Sequence, residues 1–103
     1  MIPLYDRQAR LTILREPASP SIDPQALALQ ALGWVLSDGD RAARFLALTG
    51  LDPDALRASL GQSATLAAVL DFLCAHEPDL VAAADALDVA PGQLAGARER
   101  LEP

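Results

Sequence analysis

The sequence has no lysine and no asparagine, and it contains a single cysteine, Cys74. One cysteine excludes a disulfide within the chain, so a hydrophobic core has to stabilise the fold, and this usage fits a reducing compartment. The longest nearly apolar run, residues 26–36, has eleven residues and includes Gln30. A membrane-spanning helix needs about 20 apolar residues, and no secretory signal pattern is present. We therefore expect a cytoplasmic protein.

Basic residues are scarce as well. Eight arginines oppose fourteen acidic residues, and the formal net charge is −6. Residues 1–20 carry a net charge of +1, whereas residues 21–103 carry −7. A domain with this balance repels the phosphate backbone of nucleic acids and the surface of anionic membranes. The charge therefore predicts no membrane partner and disfavours a nucleic-acid partner.

Aromatic residues make up only 4% of the chain, whereas alanine and leucine together account for 40 of its 103 residues. Both are strong helix formers, and a chain of this length forms one domain. The proline-rich stretch "EPASPSIDP" is typical of a linker. We expect residues 1–20 to be a poorly ordered N-terminal extension and residues 21–103 to be a helical domain. In the alternative, the extension is an arm that docks on this domain or on a partner.

One short pattern occurs three times in the helical domain, as "IDPQAL", "LDPDAL" and "VAPGQL". The aspartates, Asp23 and Asp52, can cap a helix by accepting a hydrogen bond from a free backbone N–H. Proline at the first helical position loses no hydrogen bond. The apolar residue before the cap can pack on the leucine as a hydrophobic staple. Three helix starts are therefore predicted, and the third lacks a capping side chain because it has Ala90.

Other positions predict where helices end and begin. Gly50 and Gly61 suit the left-handed position that follows a helix. Ser37 and Asp40 have the spacing of a capping pair, and Ser63 is expected to cap the next helix. The predicted helices are at about 24–36, 39–49, 53–60, 64–76, 78–87 and 91–101.

Two predicted helices, residues 24–36 and 64–76, have almost no polar face. A helix that is apolar all round is normally buried on most sides, so we expect residues 64–76 at the centre with two helical hairpins around them. One alternative is that both helices are simply buried. The other is that a domain this small leaves an apolar surface for self-association or a partner. The candidate surface is on the first helix and consists of Leu29, Leu32, Trp34 and Leu36.

The segments "LTGLDPDAL" and "ALDVAPGQL" resemble the turn of a DNA-binding helix-turn-helix. In that motif the second helix presents base-reading and phosphate-contacting side chains from its first turns. The first copy places Asp52 and Asp54 there, and the second places Gly92 and Gly96. We therefore interpret the repeat as architecture and keep a degenerate helix-turn-helix regulator as the alternative function.

No constellation of residues predicts catalysis, a metal or a cofactor. Cys74 and His76 are two positions apart, so on a helix their side chains point about 200° apart, whereas a zinc site needs about four convergent ligands. The serines lie in turns or at helix ends and not in a nucleophile elbow. Glycine-rich phosphate loops are also absent from the sequence. We expect a non-enzymatic protein with no cofactor and no metal.

From "ALALQALGWVLSDGDRAARFLALTGLDPDALRASL" to "HEPDLVAAADALDVAPGQL" the chain resembles a bacterial family catalogued as domain of unknown function 3572. The resemblance covers about residues 24–100, and "RFLALTGLDPDALR" is its most specific part. It implies an all-helical, bacterial, cytoplasmic protein, and it implies no activity, ligand or catalytic residue.

These observations predict an all-α single compact domain of five or six short helices, with two helical hairpins around a central apolar helix. The predicted function is a protein–protein interaction module that binds an unknown protein partner or forms a homodimer through its first helix.

Overall fold

The computed structural model describes residues 23–101, so the predicted N-terminal extension, residues 1–20, lies outside the described residues. Six helices and no strand are present between residues 23 and 101, which confirms the all-α prediction. The predicted and observed helix bounds agree to within two residues. The helices are α1 (Pro24–Leu36), α2 (Gly39–Thr49), α3 (Pro53–Ala58), α4 (Ser63–Cys74), α5 (Glu77–Leu87) and α6 (Pro91–Arg100).

Helices α1 and α4 together form the centre of the domain. They pack most extensively on each other, and both also contact α2, α5 and α6. Three α4 side chains, Val69, Leu70 and Leu73, have no solvent exposure at all. The lack of a polar face on α4 therefore reflects burial on several sides, as predicted. Helix α1 differs, because Leu29 and Leu36 remain exposed on one side of it.

Helix starts agree with the prediction at all three repeated patterns, and an aspartate caps the first two of them. The Asp23 carboxylate accepts from the backbone N–H of Gln25 at 3.4 Å, and that of Asp52 accepts from Ala55 at 2.7 Å. At the third pattern, the Gln93 side-chain oxygen accepts from the backbone N–H of Ala90 at 2.7 Å. Alanine cannot cap, so the glutamine one turn later supplies the hydrogen bond instead.

Two other capping predictions were wrong. The N-cap of α2 is Asp38, whose carboxylate accepts from the Arg41 N–H at 2.9 Å. Ser37 instead closes α1, because its hydroxyl donates to the Trp34 carbonyl at 2.6 Å. Ser63 is the first residue of α4, and the N-cap residue Gln62 makes no side-chain capping bond. Local spacing alone did not distinguish which of several adjacent polar residues occupies the cap.

The two hairpin turns share a left-handed residue after the helix. Gly50 ends α2 with φ 75°, and Asp88 ends α5 with φ 59°. Gly61, which was also expected there, has no positive φ. The helices after the two turns differ in how closely they pack on the preceding helix. Helix α6 packs along α5, whereas the short α3 makes few contacts with α2.

Separate substitutions of Gly50 and Asp88 should change the free energy of unfolding in opposite directions. A side chain in the left-handed region costs roughly 1–2 kcal/mol relative to glycine. We expect Gly50→Ala to lower the free energy of unfolding by about 1 kcal/mol, because no atom lies near the added Cβ and only backbone strain acts. Asp88→Gly should raise it by about 0.5–1 kcal/mol. Urea denaturation would test both; equal effects of the two variants would contradict the assignment of the turns.

Two ion pairs join helices at the surface. The Arg44 guanidinium lies 3.1 Å from the Asp79 carboxylate, which links α2 to α5. Arg98 lies 2.6 Å from Asp71, which links α6 to α4. At least one partner of each pair is well exposed, and pairs of this kind at a surface stabilise a protein by about 0–1 kcal/mol. Burial of apolar side chains is therefore the main stabilising term. Among residues 23–101 there is no helix whose length and hydropathy would let it cross a membrane.

Candidate functional site: an apolar groove between α1, α2 and α3

The surface formed by residues 23–101 exposes four large apolar side chains. Leu29 and Leu36 of α1 are 43% and 42% exposed, Leu48 of α2 is 75% exposed, and Val81 of α5 is 48% exposed. Single exposed leucines are normal in soluble domains, whereas apolar residues that line a depression are typical of binding sites. Leu36 and Leu48 each line a different depression in the surface.

The more enclosed of the two depressions is a groove between α1, α2 and α3, which we call the α1–α3 groove. Its volume is about 160 Å³. Six of its seven lining side chains are apolar, and the seventh is arginine. The lining residues are Leu32, Leu36, Leu46, Pro53, Leu56, Arg57 and Leu60.

Side chains near the end of α1, on α2, and on and after α3 line the groove. Leu32 and Leu56 are both 5% exposed and form its floor, since they also belong to the core. Leu46 and Leu60 are partly buried and pack against that core. Leu36, the last residue of α1, lies at the rim. Pro53 lines the groove because the proline-first pattern places it in the first turn of α3.

Charged side chains at α3 lie in and beside the groove. Arg57 forms an ion pair with Asp54 one turn earlier, and both side chains are largely exposed. Asp52 at the helix start is also exposed. Arg57 is thus the one charged side chain that lines the groove, and the two carboxylates lie beside it, on either side of the lining residue Pro53 in the sequence. An occupant with apolar anchors and a basic flank would fit an apolar floor with carboxylates nearby.

The structure brings together three of the four predicted surface residues. Leu29 and Leu36 are seven residues apart, so they lie on nearly the same side of α1. Leu32 lies about 60° around the helix from Leu29, toward the core. The predicted surface therefore continues into the groove, where Leu32 is the floor and not a free contact residue.

Trp34 lies on the opposite side of α1 and does not join the groove. The Arg41 guanidinium stacks over its ring, 3.5 Å from the ring centroid. Arg41 also donates hydrogen bonds to the Trp34 carbonyl at 2.6 Å and to the Ser37 hydroxyl at 3.1 Å. Because one indole face is covered from within the chain, Trp34 is poorly placed to anchor a partner.

A second depression lies between α2 and α4, with a volume of about 280 Å³. Leu48 and Phe72 line it, but so do two polar residues that are already engaged. Thr49 donates its hydroxyl to the Phe45 carbonyl at 3.0 Å, and Asp71 pairs with Arg98. This cleft is larger and less apolar than the α1–α3 groove, so the groove is the better candidate.

Cys74 and His76 do not form a site in the structure. Burial raises the pKa of the Cys74 thiol above its usual value, and the Asp71 carboxylate adds to this rise whereas Arg98 opposes it. His76 is exposed at the N-cap of α5 and makes no side-chain capping bond there. No three metal-ligating side chains come together among the residues that the structure describes.

The turn-and-helix pairs that resemble a helix-turn-helix have unfavourable chemistry for DNA. In the first pair the second helix, α3, has only six residues. Its one basic side chain, Arg57, is already paired with Asp54. In the second pair, Arg98 of α6 is paired with Asp71. Neither second helix presents unpaired basic side chains in its first turns, which phosphate contacts require.

The fold and the groove define a small all-helical domain with an apolar depression at the junction of three helices. A family model described as "Protein of unknown function (DUF3572)" matches residues 21–103. The chain therefore belongs to the DUF3572 family. No curated protein and no solved structure matches the chain.

Proposed function

We propose that this protein is a non-enzymatic protein-binding module of the bacterial cytoplasm, which binds a short apolar segment of another protein in the α1–α3 groove. The observation that supports the proposal is the exposed Leu36 at the rim of a groove whose floor is entirely apolar. Apolar side chains that enter such a groove leave water, and each buried CH₂ group contributes about 0.8 kcal/mol.

The size of the groove favours a segment over a second folded domain. An apolar cavity of about 150 Å³ accommodates one benzene-sized group, so a groove of about 160 Å³ accepts one or two aliphatic side chains. A stable interface between folded domains buries about 800 Å² on each partner. A peptide or helix that inserts two apolar anchors, three or four residues apart, matches the groove better.

The proposal is tested by capture of partners from a native cytoplasmic extract with the full chain, after nuclease treatment. The wild type is compared with Leu36→Glu and with the control Val81→Glu, which changes an equally exposed side chain that lines neither depression. We expect a stoichiometric protein partner with wild type and with Val81→Glu. Leu36→Glu should weaken its binding at least about thirtyfold, which corresponds to 2 kcal/mol.

Salt distinguishes this result from binding of nucleic acid. At about 1 M salt the Debye length is about 3 Å, so phosphate contacts weaken steeply whereas apolar contacts persist. Retention of the partner at this salt concentration would support the groove. Equal loss of the partner with Leu36→Glu and Val81→Glu would overturn the proposal, provided that circular dichroism shows both variants folded.

A further inference from the structure

The chain itself contains a segment with the chemistry that the α1–α3 groove requires. Outside residues 23–101, "RLTILR" at residues 10–15 places Leu11, Ile13 and Leu14 together between two arginines. Leu11 and Leu14 have the three-residue spacing expected of paired anchors. The segment thus offers one or two aliphatic side chains, which is the number that the groove accepts.

We propose that residues 10–15 of the same chain occupy the α1–α3 groove and thereby compete with the partner for it. This inference rests on the proposed function, because it concerns the regulation of the same groove. Its occupant is intramolecular, with Leu11 and Leu14 as its anchors and the exposed Leu36 as the contact residue at the rim.

The length of the connecting chain allows this contact. Leu36 is twelve residues from Pro24, so it lies about 18 Å along α1 from the start of the helix. Nine residues lead from Leu14 to Asp23, and they can span up to about 30 Å when extended. The segment therefore reaches the groove without any change in the described helices. A more distant apolar segment, Ile2 to Tyr5, has a longer connection and a correspondingly lower effective concentration.

Charge supports the same assignment. Arg10 and Arg15 flank the apolar segment, and residues 1–20 carry a net charge of +1. Beside the groove, the exposed residues Asp52 and Asp54 flank the lining residue Pro53, and residues 21–103 carry a net charge of −7. The basic flank of the segment is therefore complementary to the charge of the domain, and this favours the segment over an acidic partner that uses the same groove.

Occupancy by the chain's own segment has a measurable consequence for binding. A short connection gives an effective concentration in the millimolar range. If the isolated segment binds the groove with a dissociation constant of about 0.1 mM, the attached segment lowers the apparent affinity of a competitor about tenfold.

The test uses a fluorescent peptide that contains residues 9–17 and four full-length proteins. The proteins are the wild type, Leu11→Glu/Leu14→Glu, the same double variant with Leu36→Glu, and a matched control, Ile2→Glu/Leu4→Glu. Fluorescence polarisation should show about tenfold tighter peptide binding to Leu11→Glu/Leu14→Glu than to the wild type or the control. Adding Leu36→Glu should abolish this binding.

Each alternative result overturns the inference. Equal peptide affinity for the wild type and for Leu11→Glu/Leu14→Glu would show that the segment does not occupy the groove. A wild-type chain that sediments as a dimer and becomes monomeric in the double variant would place the segment on a second copy instead. Neither result affects the capture of a foreign partner, so failure of this inference is distinguishable from failure of the proposed function.

Discussion

Phe45→Ala is expected to lower the free energy of unfolding by about 3–5 kcal/mol. Phe45 is the only α2 side chain that is fully buried among the described residues, with 0% exposure. Its ring packs edge-to-face on Phe72 of α4, with centroids 5.4 Å apart and an interplanar angle of 82°. The substitution would remove both the buried apolar area and this aromatic pair, and leave a cavity where α2 meets the centre of the domain.

A matched control exists on the same helix. Leu48 is 75% exposed, so Leu48→Ala should change the free energy of unfolding by no more than about 0.5 kcal/mol. Chemical denaturation of the three proteins, monitored by circular dichroism, measures the difference directly. A loss below about 1 kcal/mol for Phe45→Ala would contradict the burial of Phe45 and the attachment of α2 to α4 through the two rings.

The helices were predictable because their signals are local. Aspartate followed by proline, as at Asp23 and Asp52, predicts a helix start from the hydrogen bonds and dihedral angles of adjacent residues alone. The central position of α4 was predictable for a different reason, since a twelve-residue segment without a polar face must be buried on most sides. Both inferences need no knowledge of which helices are neighbours.

The groove was not predictable, because it depends on the angles between helices. The staple pattern indicated that Leu51 and Leu56 pack at the start of α3, but it did not indicate that α3 would diverge from α2 and leave Leu32 and Leu60 facing a depression. The contact of Arg41 with Trp34 was missed for the same reason. It joins the end of one helix to the first turn of the next, and the sequence does not fix that crossing.

The fold therefore divides the predicted interaction surface on α1 into residues that face the core and residues that face solvent. An apolar helix offers the same composition on every side, so the sequence could not distinguish the core side from the exposed side. Only the packing on α4 and α6 shows that Leu32 faces inward and that Leu29 and Leu36 face outward. The interaction hypothesis itself remains a proposal, and Leu36 is now its central residue.

Leu32→Asp is expected to unfold the domain, whereas Leu29→Asp, three residues earlier on the same helix, should leave it folded. Leu32 is 5% exposed, and truncating a buried leucine to alanine already costs about 2–5 kcal/mol. Aspartate adds the cost of burying a carboxylate without a partner. Together these two costs approach or exceed the free energy of unfolding of a typical domain, which is about 5–15 kcal/mol. Leu29 is 43% exposed, so an aspartate there can keep its charge in water.

The same pair of variants also separates a groove from a dimer interface on α1. Circular dichroism should show lost helicity for Leu32→Asp and a native spectrum for Leu29→Asp. Because Leu29 does not line the α1–α3 groove, Leu29→Asp should weaken partner capture less than Leu36→Glu does. If Leu29→Asp stays folded but converts a dimer to a monomer in sedimentation, the exposed side of α1 is itself the contact surface. The groove would then lose its role as the binding site, since a dimer needs the helix face and not the depression beside it.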